Sequence, residues 1–96
     1  MVTAIILIKT KQGLVPEVAQ ALIDTPGVTE AYSVAGPYDL VAIARVRHHD
    51  GLDDLVAGRL QKIAGIVATE TLIAFRAYCQ RDLESMWDIG SEEPIR

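Results

Sequence analysis

Tyr32-Ser33-Val34-Ala35-Gly36-Pro37-Tyr38-Asp39-Leu40-Val41 sets a Gly-Pro-Tyr-Asp knot between two apolar runs. Gly36 permits a φ that other residues resist, and Pro37 fixes the next one. Asp39 can turn its carboxylate onto backbone N–H groups of the loop. The pattern predicts a hairpin with strands at Val28–Ala35 and Leu40–Val46. It also gathers a ring, a carboxylate and backbone amides at one end of a sheet.

On the N-terminal side, Val2-Thr3-Ala4-Ile5-Ile6-Leu7-Ile8 is apolar or β-branched throughout, which predicts a strand buried on both faces. Lys9–Gly13 is a polar break. Pro16 suits the first turn of a helix carried by Val15, Val18, Ala19 and Leu22, and Thr25-Pro26-Gly27 ends it. On the C-terminal side, Leu40, Ala42, Ala44 and Val46 share one strand face, while Val41 and Ile43 share the other. His48-His49-Asp50-Gly51 breaks that strand, with Asp50 as helix N-cap. Leu52, Leu55, Val56, Leu60 and Ile63 mark a second amphipathic helix, stopped by Gly65. Thr71–Cys79 is expected as the last strand. A short helical turn around Leu83, Met86 and Trp87 and a polar tail follow.

The two halves echo each other: Leu22-x-x-x-Pro26-Gly27-Val28 repeats as Leu60-x-x-x-Ala64-Gly65-Ile66, and Ile5 falls on Ile43 at the same offset. The expected class is α+β, a ferredoxin-like βαββαβ fold with a four-stranded antiparallel sheet and two helices on one face. The other face should then meet water and be polar, yet Ile5/Leu7 and Ile6/Ile8 are apolar on both sides of the first strand, as are Leu40/Ala42 and Val41/Ile43 in the third. A large apolar patch on a free sheet needs a cover. The economical cover is a second copy, so the sequence predicts an obligate homodimer joined sheet to sheet.

Composition narrows the function classes. Ninety-six residues make one domain, and half are hydrophobic, which suffices for a core. The net charge is −4 and no Lys/Arg cluster occurs, which argues against a nucleic-acid surface. No apolar run approaches the roughly 20 residues that span a bilayer, and no signal peptide opens the chain, so a cytoplasmic protein is expected. His48 and His49 are adjacent, without a Cys or third His at ligand spacing, and read as a solvated loop rather than a metal site. Cys79 reads as a small packed residue rather than a nucleophile. Asp53 and Asp54 suit the positive end of the second helix. Trp87, the only tryptophan, reads as a docking residue. Thr69 and Thr71 put two hydroxyls on one face of a strand, either for β-propensity or as a pocket wall. No phosphate-binding glycine loop is present, and the central strands lack the stacked aromatics of RNA readers. Neither a catalytic set nor a cofactor motif presents itself.

Together these motifs make the chain similar to a stand-alone RAM domain, the ligand-binding half of the Lrp/AsnC family of amino-acid-responsive transcription regulators. Gly36-Pro37-Tyr38-Asp39-Leu40 resembles that family's Gly-x-Tyr/Phe-Asp hairpin. Ala64-Gly65-Ile66 with Thr69-x-Thr71-x-Ile73, and Pro26-Gly27-Val28 with Glu30-Ala31-Tyr32, resemble its other signatures. The likeness gives residues 1–80 as a RAM-like domain and 81–96 as a C-terminal extension, whose Gln80–Glu84 and Ile89-Gly90 resemble short single-domain members.

The resemblance implies dimers that assemble into octamers or decamers and bind a small effector, typically an amino acid, between dimers. Gly36, Pro37, Tyr38, Asp39 and Leu40 of one subunit, with Thr69 and Thr71 of a neighbour, would form the ligand-binding site, and Asp39 would receive the amino group. Pro37 departs from the pattern because it offers no N–H. The family's regulators carry an N-terminal helix-turn-helix, whereas this chain starts at the first strand. The implied function is therefore non-enzymatic: effector sensing and assembly, acting indirectly or through full-length Lrp/AsnC-type regulators rather than by direct contact with nucleic acid. Two alternatives stay open. One is a dimeric α+β barrel enzyme of monooxygenase or isomerase type. The other is a purely structural assembly module without ligand.

Overall fold

The computed structural model describes residues 1–80. The expected turn at Leu83–Trp87 and the polar tail lie outside the described residues. The element order is β1 (Val2–Thr10), α1 (Val15–Ile23), β2 (Val28–Ser33), β3 (Leu40–Val46), α2 (His49–Asp53) and β4 (Ile66–Ile73). The sheet order is β2-β3-β1-β4, and every neighbouring pair is antiparallel. This is the βαββαβ arrangement expected from the sequence.

Period-two alternation decides which side chains form the core. Ala4, Ile6 and Ile8 of β1 and Leu40, Ala42 and Ala44 of β3 are buried on one face. Val18 and Leu22 of α1 and Leu52, Leu55 and Leu60 of the second helical segment close over them. The intervening residues Ile5, Leu7, Val41 and Ile43 turn to the opposite face, where they are only half-buried. Leu72 of β4 lies opposite Ile5 and extends that apolar face. No helix of the described residues is long and apolar enough to cross a membrane.

The internal echo becomes a structural one. Ile5 stands directly opposite Ile43 in the β1–β3 ladder. Leu22 and Leu60 are both fully buried. Gly27 and Gly65 close the turns that lead from the helical segments into β2 and β4, with φ of +100° and +99°. Each glycine carbonyl accepts a backbone bond of 2.8 Å, from Arg45 N–H and Lys11 N–H respectively.

Four element boundaries differ from the sequence reading. β1 runs on through Lys9 and Thr10 despite their polarity, because it is an inner strand with β3 on one side and β4 on the other. β4 spans Ile66–Ile73 rather than Thr71–Cys79. Its span is the stretch paired with Ala4–Thr10 of β1, and Ala74 N–H bonds Thr3 O just beyond it. Phe75 and Tyr78 therefore project from the body instead of alternating in a strand, and Cys79 is exposed rather than packed. β2 ends at Ser33, because Val34 N–H already closes the loop onto Asp39 O.

The second helix also departs from regularity. His48, not Asp50, is its N-cap, and Asp50 falls in the first turn. After Asp53 the chain becomes π-helical over Asp54–Arg59 and then 3₁₀ over Leu60–Lys62. The five-residue step between Leu55 and Leu60 overshoots an α-turn of 3.6 residues. Leu60 N–H instead bonds Leu55 O, the i→i+5 pairing of a π-turn, which keeps both leucines in the core. Gly58 within this run lowers the preference for a regular helix.

Gly65 is the tightest backbone position. A Cβ there would lie 2.8 Å from Val18 Cγ2 and 3.2 Å from Leu14 Cδ1. Gly13 has a similar φ of +85° with no neighbour within 4 Å. Gly13→Ala is expected to lose about 1–2 kcal/mol from backbone strain alone. Gly65→Ala is expected to lose about 1–3 kcal/mol more from overpacking. Urea denaturation of the two variants measures the difference, and equal losses would contradict the close packing at Gly65.

Candidate functional site

The loop after β2 is fixed from both ends by Asp39. Its carbonyl accepts from Val34 N–H at 3.1 Å, and its own N–H donates to Ile8 O at 2.9 Å. Its carboxylate does not cap the loop itself. Asp39 Oδ2 accepts from Thr10 N–H at 2.9 Å and from the Thr10 hydroxyl at 3.4 Å. These bonds strap the loop to the end of β1, where the β1–β4 register shifts between Lys9 and Thr10. Leu40, buried at 1% exposure, anchors the loop exit in the core. Gly36, with φ +133°, and Pro37 form the exposed tip.

Tyr38 joins this loop to β4. Its hydroxyl donates to Glu70 Oε1. The bond to Glu70 raises the Tyr38 pKa above the ordinary tyrosine value, with desolvation and the Glu70 charge adding to it. A raised pKa means that the contact is intact below the ordinary value and is lost as pH rises through the elevated one.

The register places the two threonines. Thr69 stands opposite Ile8 and Thr71 opposite Ile6, so both hydroxyls share the helix side of the sheet, as expected. Glu70, opposite Leu7, points to the other face. The structure thus gathers Gly36, Pro37, Tyr38, Asp39, Leu40 and Thr69 at one end of the sheet, with Thr10 and Glu70. Thr71 lies farther along β4, in a groove shared with His49, Leu52, Asp53, Val56 and Ile73. Thr10 and Glu70 were missed by sequence reasoning. Glu70 lies between the two threonines already singled out, but its pairing with Tyr38 depends on strand register. Thr10 sat in a stretch read as a polar break.

Both histidines are exposed where β3 gives way to α2. Among the described residues, no three His, Cys, Asp or Glu side chains are grouped to hold a metal ion.

A βαββαβ sheet with a strapped polar loop at one end defines a small α+β domain with a candidate ligand-binding end. The family model of the Lrp/AsnC ligand-binding domain matches residues 3–83. The chain belongs to that family. It is 32% identical over 77 residues to the HTH-type transcriptional regulator FL11 of Pyrococcus furiosus, a match covering 80% of this chain and 50% of FL11. The chain therefore spans about half the length of that relative. The crystal structure of TTHA0845 from Thermus thermophilus superimposes with a TM-score of 0.78 at 44% identity, over 83% of this chain and all of TTHA0845. A feast or famine regulatory protein from M. tuberculosis, solved in complex with L-methionine, gives a TM-score of 0.68 at 26% identity, over 84% of this chain and 55% of its own.

Two measurements check the loop geometry. Asp39→Ala leaves the part-buried Thr10 N–H without its acceptor and is expected to lose about 1–3 kcal/mol of stability. Asp39→Asn keeps an acceptor oxygen and should lose less; equal losses on denaturation would contradict the strap. In a phenolate absorbance titration, the tyrosine missing from Tyr38→Phe should be one that ionises above about 10, and Glu70→Gln should bring it back toward that value. An unchanged titration in Glu70→Gln would contradict the contact.

Proposed function

We propose that the chain is a non-enzymatic effector-sensing and assembly domain of a cytoplasmic transcription-regulation system. It binds an amino acid or a related small metabolite between homodimers, which build octamers or decamers, and it modulates transcription through full-length regulators of its family. The observation that carries this reading is the strapped loop. Asp39–Thr10 and Tyr38–Glu70 together hold Gly36–Leu40 against the end of β4, beside Thr69. The amides of Ala35, Gly36 and Tyr38 take no hydrogen bond among the described residues, and they suit an effector carboxylate. Because Asp39 Oδ2 is engaged by Thr10, Asp39 shapes the loop. The exposed Glu70, whose Oε1 accepts from Tyr38, keeps its other carboxylate oxygen for the effector's ammonium group. Thr69 adds a hydroxyl at the same end of the sheet, on the helix side. The family membership and the L-methionine complex of the M. tuberculosis relative support an amino acid as the ligand class.

An effector that binds only the native assembly raises its melting temperature by mass action, about 2.7 kcal/mol at a hundredfold excess over Kd. In a thermal-shift screen against the twenty amino acids, one or a few are expected to stabilise the protein. That shift should be absent in Glu70→Ala while light scattering shows the assembly unchanged. No shift at millimolar concentrations of any of them would contradict effector binding and leave a structural assembly module.

A further inference from the structure

The end of the sheet away from the Asp39 loop carries a second cleft, of about 240 Å³. Its lining includes Thr3, Arg45, Phe75 and Arg76. Thr3 and Arg45 stand opposite each other in the β1–β3 ladder, one row beyond Ile5 and Ile43. The apolar patch of the open side gives way at this row to polar side chains, which puts the cleft at its rim. Ala74 N–H donates to Thr3 O at 2.9 Å and brings residues 74–77 alongside as the other wall. Thr3 lies five residues from Ile8, the residue that receives the Asp39 N–H. Five strand residues span about 16–17 Å, so this cleft is separate from the loop end.

We propose that this cleft binds a phosphate monoester, a small phosphorylated metabolite with an apolar, ring-bearing body. Both guanidiniums are positioned by groups other than carboxylates. Arg45 Nη1 donates to Thr29 Oγ1 at 3.0 Å, and the Thr29 hydroxyl donates in turn to Ile43 O at 3.1 Å. That contact uses one nitrogen of the fork and leaves the remaining N–H groups of Arg45 for a ligand. The Arg76 guanidinium lies over the Tyr78 ring, 5.9 Å from its centroid. This contact uses the face of the guanidinium and leaves its edge donors open. Among the described residues no Asp or Glu lines the cleft. Two cations lining one cleft repel each other, and a dianion between them removes that repulsion. A phosphate monoester carries about −1.5 to −2 charges at pH 7 and three acceptor oxygens. It can therefore engage two planar forks at once, whereas one carboxylate is matched by a single fork. The Thr3 hydroxyl adds a further donor. Phe75, fully exposed, gives the body of the ligand an aromatic wall. The volume falls below the roughly 300–1,000 Å³ of drug-sized sites, which restricts the ligand to a small one.

The test uses inorganic phosphate and phenyl phosphate as probes on the assembled protein, with ionic strength held constant by chloride. Each is expected to raise the melting temperature saturably, phenyl phosphate at the lower concentration. Arg45→Gln and Arg76→Gln should each weaken phosphate binding by about tenfold or more, the loss of hydrogen bonds to a charged group. Arg59→Gln, exposed on the second helical segment, should leave binding unchanged. Light scattering should give the same mass for every variant. Phe75→Ala should abolish the advantage of phenyl phosphate and keep the response to inorganic phosphate. Absence of a saturable shift would overturn the proposal. A shift of equal size in Arg45→Gln, Arg76→Gln and Arg59→Gln would mean an adventitious ion only and overturn it as well. Phenyl phosphate binding no tighter than inorganic phosphate would overturn the assignment to an ester. A weaker response in Arg45→Gln that comes with a fall in mass would assign Arg45 to a contact between copies and overturn the site.

Discussion

The antiparallel pairing of β1 with β3 is the constraint on which the rest of the domain depends. It joins the two βαβ halves through Ile5 opposite Ile43, Ile6 opposite Ala42 and Leu7 opposite Val41. Because side chains alternate along a strand, one register fixes two surfaces at once. Ala4, Ile6, Ile8, Leu40, Ala42 and Ala44 go under the helices, and Ile5, Leu7, Val41 and Ile43 go to the open side. A slip of one residue would exchange them. The same pairing brings Leu40 to Ile8, and so delivers Asp39 to Ile8 and Thr10 at the end of β1.

Much of the fold was legible because the hydrophobic periods are clean. The alternation in β1 and β3 and the spacing of Val18 and Leu22 in α1 each reappear as burial. The repeat of Leu22 and Gly27 as Leu60 and Gly65 announced the two-half architecture before any pairing was known. Boundaries were less legible because they are set by partners. Thr71–Cys79 alternates as well as Ile66–Ile73 does, but β1 offers a mate only to the latter. The π-turn followed from a five-residue leucine step that an amphipathic pattern tolerates but an α-turn does not close.

The site divides along the same line. The Gly36–Leu40 knot was visible because its turn chemistry is local. That Asp39 straps Thr10, and that Tyr38 reaches Glu70, depends on residues 29 and 32 positions apart meeting through the sheet. Thr69 and Thr71 were correctly placed on one face. Their separation, one by the loop and one in the α2 groove, required the register between β1 and β4.

The open sheet face carries the proposal that two of these domains join sheet to sheet. Ile5, Leu7, Val41 and Ile43 are half-buried in one copy, and Leu72 is 45% exposed. Such a contiguous apolar surface is stable in water when a second one covers it. The most direct measurement is light scattering on the purified chain and on Ile43→Lys. The chain of 10.4 kDa is expected at an even multiple of that mass, with Ile43→Lys shifted toward the single chain. A folded monomer in the unsubstituted protein, or an unchanged assembly in Ile43→Lys, would contradict the account.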